Sequence, residues 1–526
     1  MMTERAPQSE RTSAQGLDAS SRQFCTPAAS EPREPFLHVR QRDGRYVADG
    51  QVSCSFGHRI PRAGHPDDGV FAAWNWNSHT LKIENDRYGL YPLYYATWDG
   101  QIAVSRGIVS LLDCGAPADL DFEALAVFLR LGFFLGEDTP FRAIRVLPPN
   151  AVFEWSAGAL RLESGLRFPR PQNLGRRAAQ DGLIELLANA LQRRLPPSDD
   201  FAVPLSGGRD SRHILLSLCA QGAKPRFCIT VRGFVPRHEE AKVAARVAEV
   251  LEVPHIVLNQ TGNLFTAERR KNVATDFCAD EHTWLLALAD YLPGKARWVY
   301  DGIGGDVLSS GLFAEPASIE LYEADRVEEL ADRLLGPEIW PSMLTASAHT
   351  RLSRSVALGR IVREMRRHVS APGTINSFYF WNRTRREIGL QPCRILARAV
   401  EAYCPYLDHD LFDLLAALPA RMFADKTFHT EAIGRAFPLY ASIGYFDQRS
   451  AKPCGLARDV TRSFALAVLL DGVLEPRPRL LRRRYWVPRV LRCLVDPSWG
   501  SVAIDWLGPV VLYLQQLGSV SRRGVG

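Results

Sequence analysis

Residues 204–216 read PLSGGRDSRHILL, and this stretch decides the fold of the chain. An apolar strand runs into Gly207 and Gly208, and the pattern predicts a helix that opens at Asp210 or Ser211. The glycines allow a sharp turn close to a ligand, and the N–H groups of the helix start attract an anion. The Asp210 carboxylate suits a Mg²⁺ ion held against phosphates. The same pattern also fits a plain strand–turn–helix that Asp210 caps.

A second stretch, RWVYDGIGGD at residues 297–306, repeats the arrangement of a strand, glycines and a carboxylate. Apolar runs at 201–205, 226–231 and 255–258 alternate with amphipathic helices, which indicates a parallel α/β sheet. Because such sheets bind ligands at the carboxyl ends of their strands, we expect the two loops to converge on one nucleotide and one metal ion. Neither loop matches GxxxxGKS/T or GxGxxG, which argues against a P-loop NTPase and a nicotinamide enzyme.

The chain on either side of this sheet has other patterns. Residues 35–155 form short strand-like runs separated by turn residues, which predicts an antiparallel β-rich domain. After residue 317 the chain is mostly helical, and residues 475–492 hold seven arginines. That run predicts a solvated helix face, since no aromatic platform for nucleic acid accompanies it.

The composition excludes several classes of protein. The chain has 526 residues, of which 46% are hydrophobic and 23% charged, with a net charge of +6. This balance is typical of a soluble globular protein of two or three domains and not of a fibre. The ten cysteines form no CxxC pair, the first thirty residues lack the apolar segment of a signal peptide, and no 18-residue apolar run is present. We therefore expect a cytoplasmic protein without a transmembrane segment.

Six motifs, taken in their order along the chain, resemble the asparagine synthetase superfamily. Two of them resemble its glutaminase domain, namely NDRYGLYPLYY at 85–95 and TPFRAIRVLPP at 139–149. The other four resemble its ATP-pyrophosphatase domain, namely SGGRDS at 206–211, the helix at 239–251, DGIGGDVL at 301–308 and EAYCPYLDHDL at 401–411.

The resemblance implies a combined α/β and α+β fold. An N-terminal Ntn-hydrolase-like αββα sandwich would precede a doubly wound parallel-sheet ATP-pyrophosphatase domain with a helical extension. In these terms residues 1–34 are a disordered leader and 35–165 a vestigial glutaminase-like domain. Residues 175–465 are the asparagine synthetase-like ATP-pyrophosphatase domain, and 466–526 are a basic helical C-terminal extension.

The resemblance also implies an ATP-dependent, AMP-forming carbon–nitrogen ligase that uses ATP and Mg²⁺. A carboxylate reacts with ATP to give an acyl-adenylate and pyrophosphate, and an amine then displaces AMP to form an amide. Asp210 and Asp306 are the implied metal ligands, because carboxylates on the two loops would hold Mg²⁺ on the polyphosphate. The implied ATP-binding residues are Leu205, Ser206, Gly207, Gly208, Asp210, Ser211, Thr230, Val231, Gly302 and Gly304.

Two residues match catalytic positions of the family. Lys452 lies near the position of a lysine that stabilises charge at the acyl transition state, and its alternative role is that of a surface lysine. Glu401 matches an acid that orients or deprotonates the amine, which requires a pKa raised by burial. The alternative for Glu401 is a buried structural acid.

The sequence departs from glutamine-dependent relatives at two places. Cys25 stands inside the chain, whereas the glutaminase nucleophile is an N-terminal cysteine, and Ile303 stands where those relatives commonly carry an acid. Both departures point to relatives that use an amine already present on the substrate, and the chain most resembles the lasso-peptide macrolactam cyclases. We therefore expect a leader-cleaved precursor peptide as substrate, a leader-processing cysteine protease as a candidate partner, and no nucleic acid.

Two other interpretations stay open. The first is a small-molecule ligase, either an ammonia-dependent asparagine synthetase or a β-lactam synthetase-like enzyme. The second is a non-catalytic homologue that serves as a scaffold in a peptide maturation complex. Both glycine-rich loops keep their acids, Asp210 and Asp306, which speaks against the scaffold.

Overall fold

The structure is a computed structural model that describes residues 34–234, 238–260, 262–336, 342–446, 456–474, 480–496, 498–500 and 507–523. The chain divides into two units, Met1–Glu34 and Pro35–Gly526, and the described strands and helices all belong to the second. Among the described residues, no helix combines the length and the apolar character that crossing a bilayer requires.

Two five-stranded antiparallel sheets form the first part of this unit. Their strands are β1 (Phe36–Arg42), β2 (Arg45–Gly50), β3 (Ser53–Ile60), β4 (Asp68–Trp76), β5 (Thr80–Asn85), β6 (Tyr94–Trp98), β7 (Gln101–Ser105), β8 (Ile144–Val146), β9 (Val152–Ser156) and β10 (Ala159–Glu163). Helices α1 (Ile108–Asp113) and α2 (Phe122–Leu131) lie between β7 and β8 in the chain. The strand orders are β2-β1-β7-β6-β8 and β10-β9-β5-β4-β3.

The two sheets pack face to face. Tyr95 of β6 contacts Phe153 of β9 with ring centroids 5.0 Å apart, and Trp155 of β9 is buried in the same core. Side chains alternate along β5 and β9, so that Lys82 and Glu154 form an ion pair on the opposite, outward face. Helix α1 packs on β6 and β7. The predicted Ntn-hydrolase-like sandwich is confirmed.

A five-stranded parallel sheet forms the centre of the second part. Its strands are β11 (Phe201–Pro204), β12 (Phe227–Arg232), β13 (His255–Asn259), β14 (Trp298–Tyr300) and β15 (Glu401–Tyr403). The accompanying helices are α3 (Arg176–Gln192), α4 (Asp210–Ala220), α5 (His238–Val250), α6 (Leu264–Ala274), α7 (Leu285–Tyr291) and α8 (Gly305–Ser309). The order β13-β12-β11-β14-β15 reverses direction between β11 and β14, which makes that pair the topological switch point.

The central strand β11 buries side chains on both faces of the sheet. Phe201 and Val203 of β11 share a core with Leu215 of α4. Ala202, which lies between them, belongs to a separate core that contains Leu288 of α7. Helices therefore cover both faces, and the predicted doubly wound sheet is confirmed.

The rest of the described chain is helical. Its α-helices are α9 (Pro316–Glu323), α10 (Val327–Leu335), α11 (Ala346–Arg351), α12 (Arg354–Arg366), α13 (Thr374–Tyr379), α14 (His409–Ala416), α15 (Phe428–Ala436), α16 (Arg458–Leu474), α17 (Arg483–Val495) and α18 (Tyr513–Arg523). Phe380–Ile388, Gln391–Ile395 and Leu507–Leu512 are π-helical, and Leu396–Arg398, Pro405–Leu407, Ala420–Phe423 and Pro438–Tyr440 are 3₁₀-helical. Helix α16 runs across the predicted boundary between residues 465 and 466.

Buried arginines join the sandwich to the second part. Arg385 of the π-helical segment donates to the Leu147 carbonyl at 2.8 Å. Arg194, which follows α3, donates to Asp68 of β4 at 2.9 Å and to Asp408 at 2.8 Å, and all three side chains are buried. Because an unpaired buried charge is strongly destabilising, these pairings hold the sandwich against the parallel-sheet part.

Candidate functional site

The first glycine-rich loop, residues 205–209, joins β11 to α4. The Leu205 N–H donates to the Ile229 carbonyl at 2.8 Å, and the Thr230 hydroxyl donates to the Leu205 carbonyl at 2.6 Å. These bonds fasten the loop to β12, the neighbouring strand. Helix α4 begins at Asp210, as the sequence predicts, and its first turn leaves N–H groups without intrahelical partners.

Internal hydrogen bonds and a close neighbour shape this loop. The Ser206 and Ser211 hydroxyls lie 3.2 Å apart, and the Gly208 N–H donates to the Ser206 hydroxyl at 3.2 Å. The Phe446 N–H donates to the Gly207 carbonyl at 2.9 Å, and a Cβ on Gly207 would lie 2.6 Å from the Phe446 Cβ. The close approach of Phe446 therefore leaves no room for a side chain at residue 207.

The second glycine-rich loop, residues 301–304, joins β14 to α8. Gly304 has a φ of +89°, a left-handed conformation that glycine adopts without strain. A Cβ on Gly302 would lie 2.9 Å from the Asp210 Cβ, and one on Gly305 would lie 2.6 Å from the Asp210 carboxyl carbon. The two loops therefore meet at Asp210, at the switch point of the sheet.

Three half-buried carboxylates, those of Asp210, Asp301 and Asp306, belong to the region where the loops meet. Burial raises the pKa of Asp210 to about 7. Burial, together with the negative charge of Asp210, raises the pKa values of Asp301 and Asp306 to about 6. Three mutually repelling carboxyl groups in a poorly hydrated site favour the binding of a cation.

The hydrogen bonding of these carboxylates fits Mg²⁺. Asp301 accepts the Ile303 N–H at 2.8 Å, and Asp306 accepts the Val307 N–H at 2.7 Å. The buried Oδ1 atom of Asp210, in contrast, has no hydrogen-bond partner within the part of the chain that the structure describes. Within that part, no three His, Cys, Asp or Glu side chains form a complete metal site. Mg²⁺ is usually bound by one or two carboxylates together with phosphate oxygens and water.

Two predicted ATP-binding residues, Thr230 and Val231, lie in β12 beside the first loop. The Thr230 hydroxyl, which bonds to the Leu205 carbonyl, also lies 2.8 Å from His255 Nε2. It therefore serves at least to hold the loop in place. The predicted contact of Thr230 and Val231 with ATP stays a prediction.

The structure does not bring Glu401 to the glycine-rich loops. Glu401 begins β15, opposite Trp298, whereas Asp301 follows the other end of β14 and donates its N–H to the Tyr403 carbonyl. The Glu401 carboxylate lies 3.7 Å from Nδ1 of His58, a residue of the sandwich. Its catalytic role stays a prediction, and its observed neighbours belong to the interface.

The predicted catalytic Lys452 lies outside the described residues. The described chain before it ends at Phe446, which bonds to the first loop. Arg212 of α4 holds this segment, because its guanidinium donates to the Ile443 carbonyl at 2.8 Å and the Gly444 carbonyl at 2.7 Å. No motif of the sequence assigns Arg212 this role.

Sequence reasoning also missed Asp301 and His429. The signal for Asp301 was an acid where the SGxGGDEL motif of the family has serine. His429 is fully buried in α15, and its Nδ1 lies 3.2 Å from the Asp210 Oδ1 atom. No local pattern indicates His429, because only the tertiary fold brings α15 beside α4.

Two family models match this chain. Residues 182–437 match the asparagine synthase model, and residues 66–164 match a glutamine amidotransferase domain. The glutamine-hydrolyzing asparagine synthetase 2 of Bacillus subtilis is 27% identical over 281 residues, which cover 47% of this chain and 37% of that protein. A putative asparagine synthetase of Mycobacterium bovis is 26% identical over 273 residues, which cover 48% of this chain and 41% of that protein. The chain thus spans about two fifths of the length of these relatives.

A solved structure, NMN synthetase from Francisella tularensis, is 12% identical and covers 40% of this chain and 93% of its own, with a TM-score of 0.19. At that TM-score the likeness carries no argument. The asparagine synthase match, however, spans both glycine-rich loops, and the curated relatives are asparagine synthetases. They support the superfamily resemblance drawn from the sequence.

Proposed function

Starting from its asparagine synthase domain, we propose that this protein is an ATP-dependent ligase that closes a macrolactam ring in a leader-cleaved peptide. A side-chain carboxylate of the peptide attacks the α-phosphate of ATP, which forms an acyl-adenylate and releases pyrophosphate. The N-terminal amine of the same peptide then attacks the acyl carbon, AMP leaves, and the amine gives up one proton. The net change is one amide bond formed and ATP converted to AMP and pyrophosphate.

The meeting of the two loops at the switch point carries this proposal. Asp210 and Asp306 would hold Mg²⁺, which neutralises charge on the departing pyrophosphate when bound. The Asp210 Oδ1 atom is buried, and the described residues offer it no hydrogen bond, so it is free to coordinate. The first-loop N–H groups and the start of α4 supply donors for phosphate oxygens.

Two observations favour an amine that is already on the substrate. Ile303 is only 4% exposed in the second loop and cannot accept a proton, whereas glutamine-dependent relatives commonly carry an acid there. The amidotransferase match begins at residue 66 and does not reach Cys25. The sandwich is held to the parallel-sheet part by Arg194 and Arg385, which suits a structural role for this domain.

The test is ATP–pyrophosphate exchange by the full chain with Mg²⁺ and three acceptor sets. The first is a peptide with a free N-terminus and one internal Asp or Glu. The matched control is the same peptide with that residue changed to Asn or Gln. The third is aspartate with ammonium. We expect exchange only with the first peptide, together with a product lighter by one water.

Each other outcome contradicts part of the proposal. Exchange with aspartate and ammonium, but not with the peptide, would establish a small-molecule ligase instead. Exchange with both peptides would show that the internal acid is not the activated group. A failure of every acid to support exchange would favour a non-catalytic scaffold. A leader-processing cysteine protease remains our proposed partner, and co-purification with the labelled full chain would test it.

A further inference from the structure

We propose that His429 is a positioning residue that fixes the Asp210 carboxylate between the two glycine-rich loops for binding of Mg²⁺ with ATP. This inference rests on the proposed function, because it assigns Asp210 to the cation. We refer below to the His429 cluster, which comprises His213, Ser309, Ser310, Tyr406 and His429. No motif of the sequence indicates this cluster.

The His429 imidazole connects four elements of the site. Its Nδ1 atom lies 3.0 Å from the Ser309 hydroxyl and 3.1 Å from the Ser310 hydroxyl, at the end of α8. Its Nε2 atom lies 3.0 Å from Nδ1 of His213 in α4 and 3.2 Å from the Tyr406 hydroxyl. The ring is fully buried in α15. One side chain therefore spans the helices that follow both loops and the segment that follows β15.

The partners determine which ring nitrogen of His429 carries the proton. The Ser309 hydroxyl donates its proton to the Gly305 carbonyl at 2.7 Å, so its oxygen faces His429 Nδ1 as an acceptor. Nδ1 therefore carries the hydrogen, and Nε2 accepts from His213 Nδ1 and the Tyr406 hydroxyl. In agreement, the buried His213 Nε2 atom has no hydrogen-bond partner among the described residues.

In this arrangement the Nδ1–H group of His429 lies beside Asp210 but does not hydrogen-bond its Oδ1 atom. His429 Nδ1 is 3.2 Å from Asp210 Oδ1, yet the pair lacks hydrogen-bond geometry. The imidazole thus limits rotation of the carboxylate and leaves the Oδ1 lone pairs for a cation. On the other side, the absence of a Cβ at Gly302 and Gly305 leaves room for the same carboxylate. Residues that orient metal ligands in this way typically contribute 10- to 100-fold to metal affinity.

Three substitutions separate orientation from simple packing. His429→Asn keeps a donor near the Nδ1 position, His429→Gln places its amide near the Nε2 position, and His429→Leu removes both. The matched control is His368→Leu, because His368 is equally buried but hydrogen-bonds Ser377 in another part of the fold. The probe is Mn²⁺ in the presence of ATP, with free Mn²⁺ measured by electron paramagnetic resonance.

We expect His429→Leu to raise the dissociation constant of Mn²⁺ by about 10- to 100-fold, His429→Asn to recover most of that loss, and His429→Gln to recover little. His368→Leu should lower thermal stability and leave Mn²⁺ binding within about threefold, because its target lies elsewhere. Near wild-type binding by His429→Leu would overturn the positioning role. Equal recovery by Asn and Gln would overturn the assigned orientation. If His429→Leu does not fold, the difference in Mn²⁺ binding between His429→Asn and His429→Gln still tests the positioning role.

The wild-type protein distinguishes this inference from the proposed function. Mn²⁺ binding with ATP, a loss of binding in His429→Leu and no exchange with any acid would overturn the proposed ligase and support the positioning role. ATP–pyrophosphate exchange by the wild type, combined with unchanged Mn²⁺ binding in all three variants, would support the proposed ligase and overturn the positioning role of His429. A wild-type protein that binds no Mn²⁺ with ATP would overturn both.

Discussion

Two groups of buried charge in this molecule differ in how they are satisfied. At the interface between the sandwich and the parallel-sheet part, the Arg194 guanidinium bonds to both Asp68 and Asp408. At the switch point, Asp210 and Asp306 repel one another, and Asp210 Oδ1 has no hydrogen bond among the described residues. The interface group is fully buried, whereas the Asp210 side chain is 24% exposed, although burial still raises the pKa of Asp210 to about 7.

The difference is one of compensation. At the interface, Arg194 and Arg193 together offset the charges of Asp68 and Asp408 within the protein. A cluster of like charges with an open oxygen is unfavourable by itself and becomes favourable when a cation binds. Compensated charge therefore indicates a structural role at the interface, and uncompensated charge indicates a ligand site at the loops.

The largest expected effect is on the uncompensated group. Asp210→Asn keeps the shape of the side chain and removes the negative charge that would hold Mg²⁺. We expect ATP–pyrophosphate exchange to fall on the order of 10³-fold, because a bound metal ion contributes several kcal/mol to catalysis. Thermal stability should be maintained, since Asp210 Oδ1 accepts no hydrogen bond within the described structure.

The matched control is Asp413→Asn, which removes a carboxylate that pairs with Arg87 at the interface. Exchange by this variant should stay within about threefold of wild type, because the Asp413 carboxylate bonds to Arg87 of the sandwich and, among the described residues, to neither glycine-rich loop. Full exchange by Asp210→Asn would refute the assignment of Asp210 to the cation. A large loss of stability in Asp210→Asn would show that the carboxylate is compensated after all.

The compensated group should respond in stability and not in catalysis. Arg194→Met leaves Asp68 and Asp408 buried without their shared partner, and we expect a loss of about 3–5 kcal/mol in the free energy of unfolding. Arg62→Met is the control, because the Arg62–Asp410 pair crosses the same interface but Asp410 is 41% exposed. It should cost no more than about 1 kcal/mol.

Urea unfolding followed by tryptophan fluorescence measures both variants, and exchange is measured below the unfolding transition. Exchange per folded molecule should remain within about threefold of wild type for Arg194→Met. Equal stability losses for Arg194→Met and Arg62→Met would show that burial does not distinguish the two pairs. A selective loss of exchange would mean that the interface acts on the site.

The glycine-rich loops were predictable because their signals are local. A short apolar run, glycines and an acid specify a strand end and a helix start within a dozen residues, and α4 begins at Asp210 as expected. The convergence of the loops followed from a general rule for parallel sheets. The order of the strands in the sandwich, in contrast, depends on pairings between distant segments that no local pattern encodes.

The rest of the site depends on long-range packing. His429 comes beside Asp210 only because α15 packs near α4, and Phe446 comes beside Gly207 only through the bonds of Arg212. The match of Glu401 to a family motif did not reveal that it begins β15, at the end of the sheet away from the loops. The motif identifies Glu401, whereas the pairing register of β15 with β14 determines at which end of the sheet Glu401 lies.

The smallest expected effect concerns a buried histidine that is fully hydrogen-bonded. His282 Nε2 lies 3.1 Å from the Glu387 carbonyl and Nδ1 lies 2.9 Å from the Gln391 amide, so the neutral ring is satisfied. Burial lowers the pKa of His282 from 6.5 to about 3. As the pH falls below 6.5, His282 becomes protonated in the unfolded chain but stays neutral in the folded chain. The folded state is therefore destabilised relative to the unfolded state as the pH falls below that value.

Replacing His282 with Gln removes this titration and keeps a hydrogen-bonding side chain. The stability of wild type relative to His282→Gln should fall by about 1.4 kcal/mol for each pH unit below 6.5, until the folded pKa is reached. Urea midpoints of both proteins at pH 7.5, 6.0 and 5.0 measure that difference, in which groups common to both cancel. A difference that does not change with pH would mean that the pKa of His282 is the same in the folded and unfolded chains, and hence that burial does not keep the ring neutral.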